Sequence, residues 1–358
     1  MNTQKLASVV LGLALTLTLV RCGATRDDGT DAGPPKKDGG VPAADTGTGL
    51  DQPDTGIPAT GSDAGAADVG VAPGIETTIP DINNTASANH AAILGKKVHF
   101  KGVATSKQWQ VSSSGPSGAR TSCLRGVFMA DLNAATPDYN GVLVVSKTTA
   151  TSGKCNEDSQ LPTSINIGDE IDVTGFYDEY CGNGGTACKD KDQTGKDIRY
   201  PEITASFPGQ IIVGTAKGLP ANLPVTVTIG QVNSVNGAAV IGGCSPFTLG
   251  TDWFKYRAVY VKILNVHPSS FNPDATKECS TDSGSTGDFC NWRIAPAGST
   301  TPSMRVSADV FFGGIAPACN HRPKTDVAYN SLSGIVYCNF GYSKLEPTRN
   351  ADGDPALP

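Results

Sequence analysis

The residues of this chain best able to do chemistry are its ten cysteines, its four histidines and one acidic, glycine-bearing loop. Nine cysteines follow Cys22. In an exported chain, disulfides are their default state. Order along the chain pairs neighbours: Cys123 with Cys155, Cys181 with Cys188, Cys279 with Cys290, and Cys319 with Cys338. Cys244 is then left over. In Ile241-Gly242-Gly243-Cys244 it reads as a buried inert thiol rather than a nucleophile. Cys181 and Cys188 are too far apart for a CxxC zinc pair, and Cys319-Asn320-His321 is too tight for a ligand pair.

The loop Asp190-Lys191-Asp192-Gln193-Thr194-Gly195 begins like a calcium loop, with oxygen donors at alternate positions and glycine in sixth place. Position twelve should be acidic and is Pro201. A looser cage of Asp190, Asp192, Thr194 and Asp197 would still suit calcium. The other reading is a solvated loop between two strands. No other cofactor is expected. His90, His99, His267 and His321 stand at no recognisable spacing from a nucleophile and an acid. A hydrolase would have to assemble one of them with Asp169, Asp172 or Glu179 between two domains. The expectation is a protein without catalytic activity.

The elements that must position these groups are short strands. In residues 165–184, Ile171 and Val173 alternate with Glu170, Asp172 and Thr174, the period of a half-buried strand. Gly175 interrupts the pattern, as at a bulge or sharp bend. A similar stretch returns at Leu332-Ser333-Gly334-Ile335-Val336-Tyr337, and each copy leads into a further strand. Strands are predicted at residues 97–105, 126–131, 141–146, 170–177 and 202–205. A second set is predicted at 225–229, 258–266, 292–295, 304–310, 331–337 and 344–346. No stretch shows a capped helical period. Pro220 and Pro224 mark a break. The fold class is all-β, two small barrels in tandem, at 79–219 and 220–350, with a tail at 351–358.

Ahead of the barrels lies a different kind of chain. Residues 6–20 form an apolar run shorter than the ~20 residues that span a bilayer, so 1–21 reads as a signal peptide. Leu19-Val20-Arg21-Cys22 resembles the lipobox of bacterial lipoproteins, in which the cysteine is acylated; Arg21 departs from that family's small residue. The resemblance implies lipidation at Cys22 and an exported protein on the outer membrane or cell surface of a bacterium. Cleavage after Ala24 would instead release a soluble protein. Residues 22–78 are rich in Asp, Gly, Pro, Ala and Thr and read as a disordered tether. From Arg26 to Pro73 they carry nine acids and three bases. That difference of −6 equals the formal charge of the whole chain, so the barrels are near neutral and have no strong electrostatic pull on nucleic acid.

The series Gly126-Val127-Phe128-Met129-Ala130-Asp131, Asn140-Gly141-Val142-Leu143-Val144, Ile167–Gly175 and Pro201-Glu202-Ile203 resembles the OB-like region of secreted bacterial nucleases of the endonuclease/exonuclease/phosphatase type. Tyr256–Val261 and the late Leu345-Glu346-Pro347-Thr348-Arg349 are similar to a second OB-like unit of the same proteins. The resemblance implies tandem OB-like barrels, and the catalytic domain of those nucleases is not expected here. OB barrels bind across a sheet face through aromatic and basic residues. Trp109, Arg125, Tyr177, Trp253, Arg257 and Trp292 are the binding candidates, from a wider set with the aromatics Phe128, Tyr139, Phe176, Tyr180, Tyr256 and Tyr260 and the bases Lys101, Lys107, Arg120, Lys255 and Arg293. The function expected is a non-catalytic, surface-tethered binding or adaptor lipoprotein. Its partner would be a protein, a glycan or extracellular nucleic acid, with membrane contact only through the lipid. The alternatives are a nucleic-acid-binding accessory to a separate nuclease, or a hydrolase with a site between the barrels.

Overall fold

Side-chain alternation on short strands builds two barrels, and small helices close their ends. The structure, a computed structural model, describes residues 73–114, 122–151, 154–155, 160–180, 199–233, 250–271, 291–307, 310–311, 322–323, 325–339 and 342–358.

The first unit runs β1 (Ile75–Glu76), α1 (Ile79–Asn83), α2 (His90–Ile93), β2 (Lys97–Ala104), β3 (Trp109–Ser114), β4 (Ser122–Ala130), β5 (Val142–Thr151), β6 (Lys154–Cys155), β7 (Asp169–Tyr180), β8 (Tyr200–Thr204) and β9 (Ile211–Ala216). The second runs β10 (Val225–Val227), α3 (Ile229–Val232), α4 (Trp253–Tyr256), β11 (Tyr260–Ser270), β12 (Trp292–Pro296), β13 (Met304–Val306), β14 (Tyr329–Asn339), β15 (Tyr342–Glu346), a 3-10 turn at Asn350–Asp352 and β16 (Gly353–Asp354). All eleven expected strands are present. The expectation of no helices is corrected, since α1 to α4 are single turns too short to show a period. Thr78 caps α1, its hydroxyl accepting from the Asp81 N–H at 3.2 Å.

Both barrels close in the same order. The first goes β2-β4-β5-β8-β7 and back to β2, with β5 and β8 parallel. The second goes β11-β12-β13-β15-β14 and back to β11, with β13 and β15 parallel. Counted along each barrel, that is first-second-third-fifth-fourth-first. These are two closed five-stranded OB-like barrels in tandem.

The repeat extends further than the barrels. Before each first strand a short strand pairs with it in parallel, Ile75 with Val98 and Val225 with Val261. A threonine N-cap and a one-turn helix follow in each case: Thr78, Ile79, Ile82 and Asn83 match Thr228, Ile229, Val232 and Asn233. Gly175 and Gly334 also occupy equivalent places. Each faces a valine of the first strand, Val98 or Val261. On the other edge, each lies where its strand changes neighbour, from β9 to β8 and from β16 to β15.

The expected bulge at Gly175 is corrected: β7 keeps its register on β2 from Glu170 to Phe176. What demands glycine is the approach of the fifth strand. A Cβ at Gly175 would stand 2.6 Å from Ile203 Cγ2 and 2.8 Å from the Thr204 oxygen. At Gly334 it would stand 2.8 Å from Leu345 Cγ and 2.9 Å from the Glu346 oxygen.

Inside the first barrel, Val98, Phe100, Val127, Met129, Val144, Ile171, Val173 and Ile203 meet, with Ile79, Ile82 and Ile93 closing one end. The second core contains Val261, Ile263, Trp292, Ile294, Met304, Val306, Val336 and Leu345. It does not stop at its own barrel. Trp109, Phe128, Leu143 and Val145, from the outer side of the first barrel, belong to the same cluster. Trp109 stacks on Phe128 at 5.9 Å, and Tyr337 of β14 meets both edge-on at 6.0 and 5.1 Å. The second barrel therefore covers the outer face of the first barrel's second and third strands.

Candidate functional site

The second-and-third-strand face is where OB barrels commonly take a ligand. In the first barrel it is filled with protein, and the candidate residues follow from that. Trp109 is wholly buried in the seam between barrels. Trp253 is buried there too, donating Nε1–H to Ser343 Oγ at 3.1 Å, with its ring edge-on to Tyr200 at 5.9 Å. Trp292 lies inside the second barrel against Tyr329. Tyr177 points into the first. None of these four rings presents a face for a ligand to stack on. Arg125 is half-exposed on β4, paired in register with Gln110 and Ser146.

Arg257 is 4% exposed and forms the polar centre of the seam. Its Nε donates to Asn83 Oδ1 at 2.7 Å and its Nη2 to the Asn83 carbonyl at 2.7 Å. Its Nη1 donates to the Arg199 carbonyl at 2.6 Å, and Asn83 Nδ2 returns a bond to the Arg257 carbonyl at 2.9 Å. Burial lowers the guanidinium to about 10, which still leaves it charged at neutral pH. Nearby, Lys255 pairs with Asp138 at 2.9 Å, and the Tyr139 N–H donates to the Lys255 carbonyl.

Among the described residues, three histidines meet acids. His90 Nε2 lies 3.0 Å from Glu179 Oε1, with the Tyr177 hydroxyl 3.5 Å from both ring nitrogens of His90. This group closes the end of the first barrel under α2, and burial, then Glu179, push the Tyr177 hydroxyl far up. Among the described residues, no serine, threonine or cysteine side chain bonds to the His90 ring, whose partners are Glu179 and Tyr177. His99 sits on the outer side of β2 between two carboxylates, Nδ1 2.6 Å from Glu76 and Nε2 2.6 Å from Asp172. Lys101 Nζ reaches the other Asp172 oxygen at 3.0 Å. His267 pairs more loosely with Asp326, at 3.5 Å. Asp169 accepts the Asn166 N–H in the turn before β7 and faces no histidine.

The open surface is elsewhere. Even-numbered residues of β7 face outward, and among them Phe176 is 49% and Tyr180 41% exposed. Between them Asp178 is exposed and opposite Glu202 of β8, while Tyr180 is opposite Tyr200. Ile212 of β9 and Phe207 in the turn before it add exposed apolar groups along the same edge of β7. Glu202 is half-buried, and burial and then Asp178 push its carboxyl up to about 7. Burial and Glu202 also raise the Tyr180 hydroxyl. From Tyr200 and Glu202 the surface continues into a small cleft between the barrels, floored by Asn83, Trp253, Arg257 and Tyr337.

The six binding candidates missed this face, although the signal was present. Carrying the outward parity of Asp172 and Thr174 across Gly175 places Phe176, Asp178 and Tyr180 outside. The calcium residues Asp190, Asp192, Thr194 and Asp197 lie outside the described residues, as do Cys22, Cys181, Cys188, Cys244, Cys279, Cys290 and Cys319. Cys155 and Cys338 are described by their backbone alone, in β6 and β14. Cys123 is buried and disulfide-bonded. No cluster of three or more His, Cys, Asp or Glu suited to a metal occurs among the described residues.

No family model matches the chain, and no curated protein matches it. Among solved structures it is similar to a replication protein A heterotrimer bound to ssDNA, at 10% identity with a TM-score of 0.29. That match covers 72% of this chain and 50% of the other, so the chain spans half the length of the one it matches. The OB-like assignment rests on strand order and closure.

Proposed function

We propose that this protein is a non-catalytic binding or adaptor lipoprotein, acylated at Cys22 and held at a bacterial cell surface by the tether between Cys22 and β1. The observation that carries the binding part is the exposed aromatic and acidic face of β7 and β8 opening into the inter-barrel cleft. Exposed apolar groups that gather on one face and are rimmed by polar residues mark interaction sites, whereas single scattered ones do not. The barrels meet through an apolar seam, which suits a rigid platform on a flexible leash.

A second reading, an accessory protein for extracellular nucleic acid, draws on the second barrel. There Arg293, Arg305 and Lys344 stand in register across β12, β13 and β15, the first two being the second and third strands, where OB barrels commonly take a ligand. It ranks second because Arg305 and Lys344 are buried. A hydrolase ranks third: His90 with Glu179 and His99 with Asp172 are paired, but neither pair lies in the cleft.

The test is cross-linking capture from the cell envelope with the full chain, beside a hydrolase screen. Specific capture that is lost on changing Phe176 and Tyr180 supports the reading. Robust turnover with no specific partner sinks it. The anchor is tested separately: labelled palmitate should enter the wild type and not Cys22→Ser, which should leave the membrane fraction. Calcium at Asp190, Asp192, Thr194 and Asp197 is tested by titrating the ion into the protein and into Asp192→Asn.

A further inference from the structure

We propose that the outer face of β7 and β8, with the cleft it opens into, binds a chain of neutral sugar rings. The inference rests on the binding-module reading and names its ligand class. Three observations carry it.

The first is the placing of the exposed rings. Phe176 and Tyr180 are four residues apart on one strand face, ~13 Å along the strand. Two separated aromatic plates suit a linear ligand with repeated apolar faces. Pyranose rings have such faces, made by their C–H bonds. The second is the polar groups between the plates. Asp178 and Glu202 face each other across the strands. Lys97 lies beside Phe176 on the opposite side, and Lys101 is held by Asp172. The face carries neither the run of cations a polyanion needs nor a second free sign to lead a charged ligand. A carboxyl such as Glu202, half-buried and easily protonated, both donates and accepts hydrogen bonds, which suits hydroxyl groups better than cations. The third is the cleft. It lies beside Tyr200 and Glu202, is small and lined mainly by apolar surface, with Asn83 and Arg257 buried and bonded to each other, and gives one end of a chain a shallow apolar stop.

In the first barrel, this site lies on the fourth and fifth strands because the second barrel occupies the second-and-third-strand face. The ligand surface of this barrel has been moved round the wall.

The test uses the purified full chain. Neutral hexasaccharides of β-1,4-linked glucose and of β-1,4-linked N-acetylglucosamine are titrated calorimetrically, beside an oligothymidine and an oligolysine. One or both saccharides should bind. Phe176→Ala and Tyr180→Ala should each weaken binding about tenfold, while Leu264→Ala, an exposed residue of the second barrel, should leave it unchanged. Glu202→Gln, which keeps a donor and an acceptor, should retain saccharide binding. Binding of neither saccharide overturns the proposal, as does saccharide binding indifferent to both ring variants. Oligolysine binding abolished by Glu202→Gln, or oligothymidine binding abolished by Phe176→Ala, overturns it in favour of that ligand. If the saccharides fail while envelope capture still depends on Phe176 and Tyr180, the sugar assignment falls and the adaptor reading stands. If neither depends on them, both fall.

Discussion

The guanidinium of Arg257, in the second barrel, donates to both oxygens of Asn83, in the first, at 2.7 Å each. With Nη1 on the Arg199 carbonyl, it joins two segments of the first barrel to the start of β11. The partners are carbonyls rather than a carboxylate, so the cation is solvated by the chain itself. Its alignment matters more than its charge, because a buried donor left without an acceptor costs the full loss of its hydration.

Asn83→Ala should therefore lower stability by about 1–3 kcal/mol, since it strips one acceptor from a buried cation. Arg257→Met, which leaves three carbonyl acceptors facing an apolar side chain, should cost about 3 kcal/mol or more. Urea unfolding with disulfides intact measures both. Because the apolar cluster runs through the seam, the wild type should unfold in one transition. Unchanged midpoints in both variants would mean that the seam is held by its rings alone.

The equivalent glycines give a paired prediction. Gly175→Val and Gly334→Val should each cost ~1–3 kcal/mol, the scale of stored strain, because the fifth strand must move in either barrel. Thr174→Val, half-exposed on the outer side, should be nearly silent. Thermal unfolding of the three separates close strand approach from a general loss of flexibility. Equal stability of Gly175→Val and Thr174→Val would remove the anchor of the repeat.

His99 makes stability depend on pH. Its folded pKa lies above the ordinary 6.5; burial works against that rise, and the hydrogen bonds to Glu76 and Asp172 outweigh it. The pair's contribution is therefore full below pH 6.5 and is lost as pH rises through the higher folded value. Asp172 lies below its ordinary 3.8; burial again opposes, and the bonds from Lys101 and His99 win. That part is present above pH 3.8 and lost as pH falls through the lower folded value. Urea midpoints should thus favour pH 5 over pH 8 in the wild type, and His99→Gln should flatten the difference. Glu76 belongs to β1, so amide exchange of β1 should quicken at pH 8 in the wild type. Identical pH profiles of wild type and variant would exclude the pairing as a source of stability.

Reduction gives a fourth test. Cys123 is bonded, and the proposed partner is Cys155. Peptide mapping without reduction should find that pair. Cys123→Ser should cost ~2–4 kcal/mol, chiefly by freeing the unfolded chain. Mapping that joins Cys123 to another cysteine would reject the neighbour pairing.

The eleven expected strands were legible because each alternation has a local cause, whereas β1, β3, β6, β9 and β16 were not expected. Ile171 and Val173 must face inward if Glu170 and Asp172 face water, and that holds whatever the neighbouring strand is. Gly175 and Gly334 were also visible as a pair. Their reason was not visible, since the close strand is 28 residues away for Ile203 and 11 for Leu345. The four single-turn helices carried too few residues to show a period. The repeated Thr-Ile…Asn signature at Thr78–Asn83 and Thr228–Asn233 was present in the sequence, but it becomes readable only once both helices are seen beside a parallel strand.

Residue type alone determined that this chain makes short strands, alternates their faces and repeats the pattern. Only the tertiary structure decided which aromatic residues are available. Trp109, Trp253 and Trp292 are as suited to stacking as Phe176 and Tyr180, and nothing in their neighbours along the chain separates them. For Trp109 and Trp253 the separation comes from the seam, while Trp292 is taken up by the core of its own barrel. Packing one barrel on another removes a whole outer face from water, and the free energy of that burial is a property of two surfaces meeting rather than of either strand.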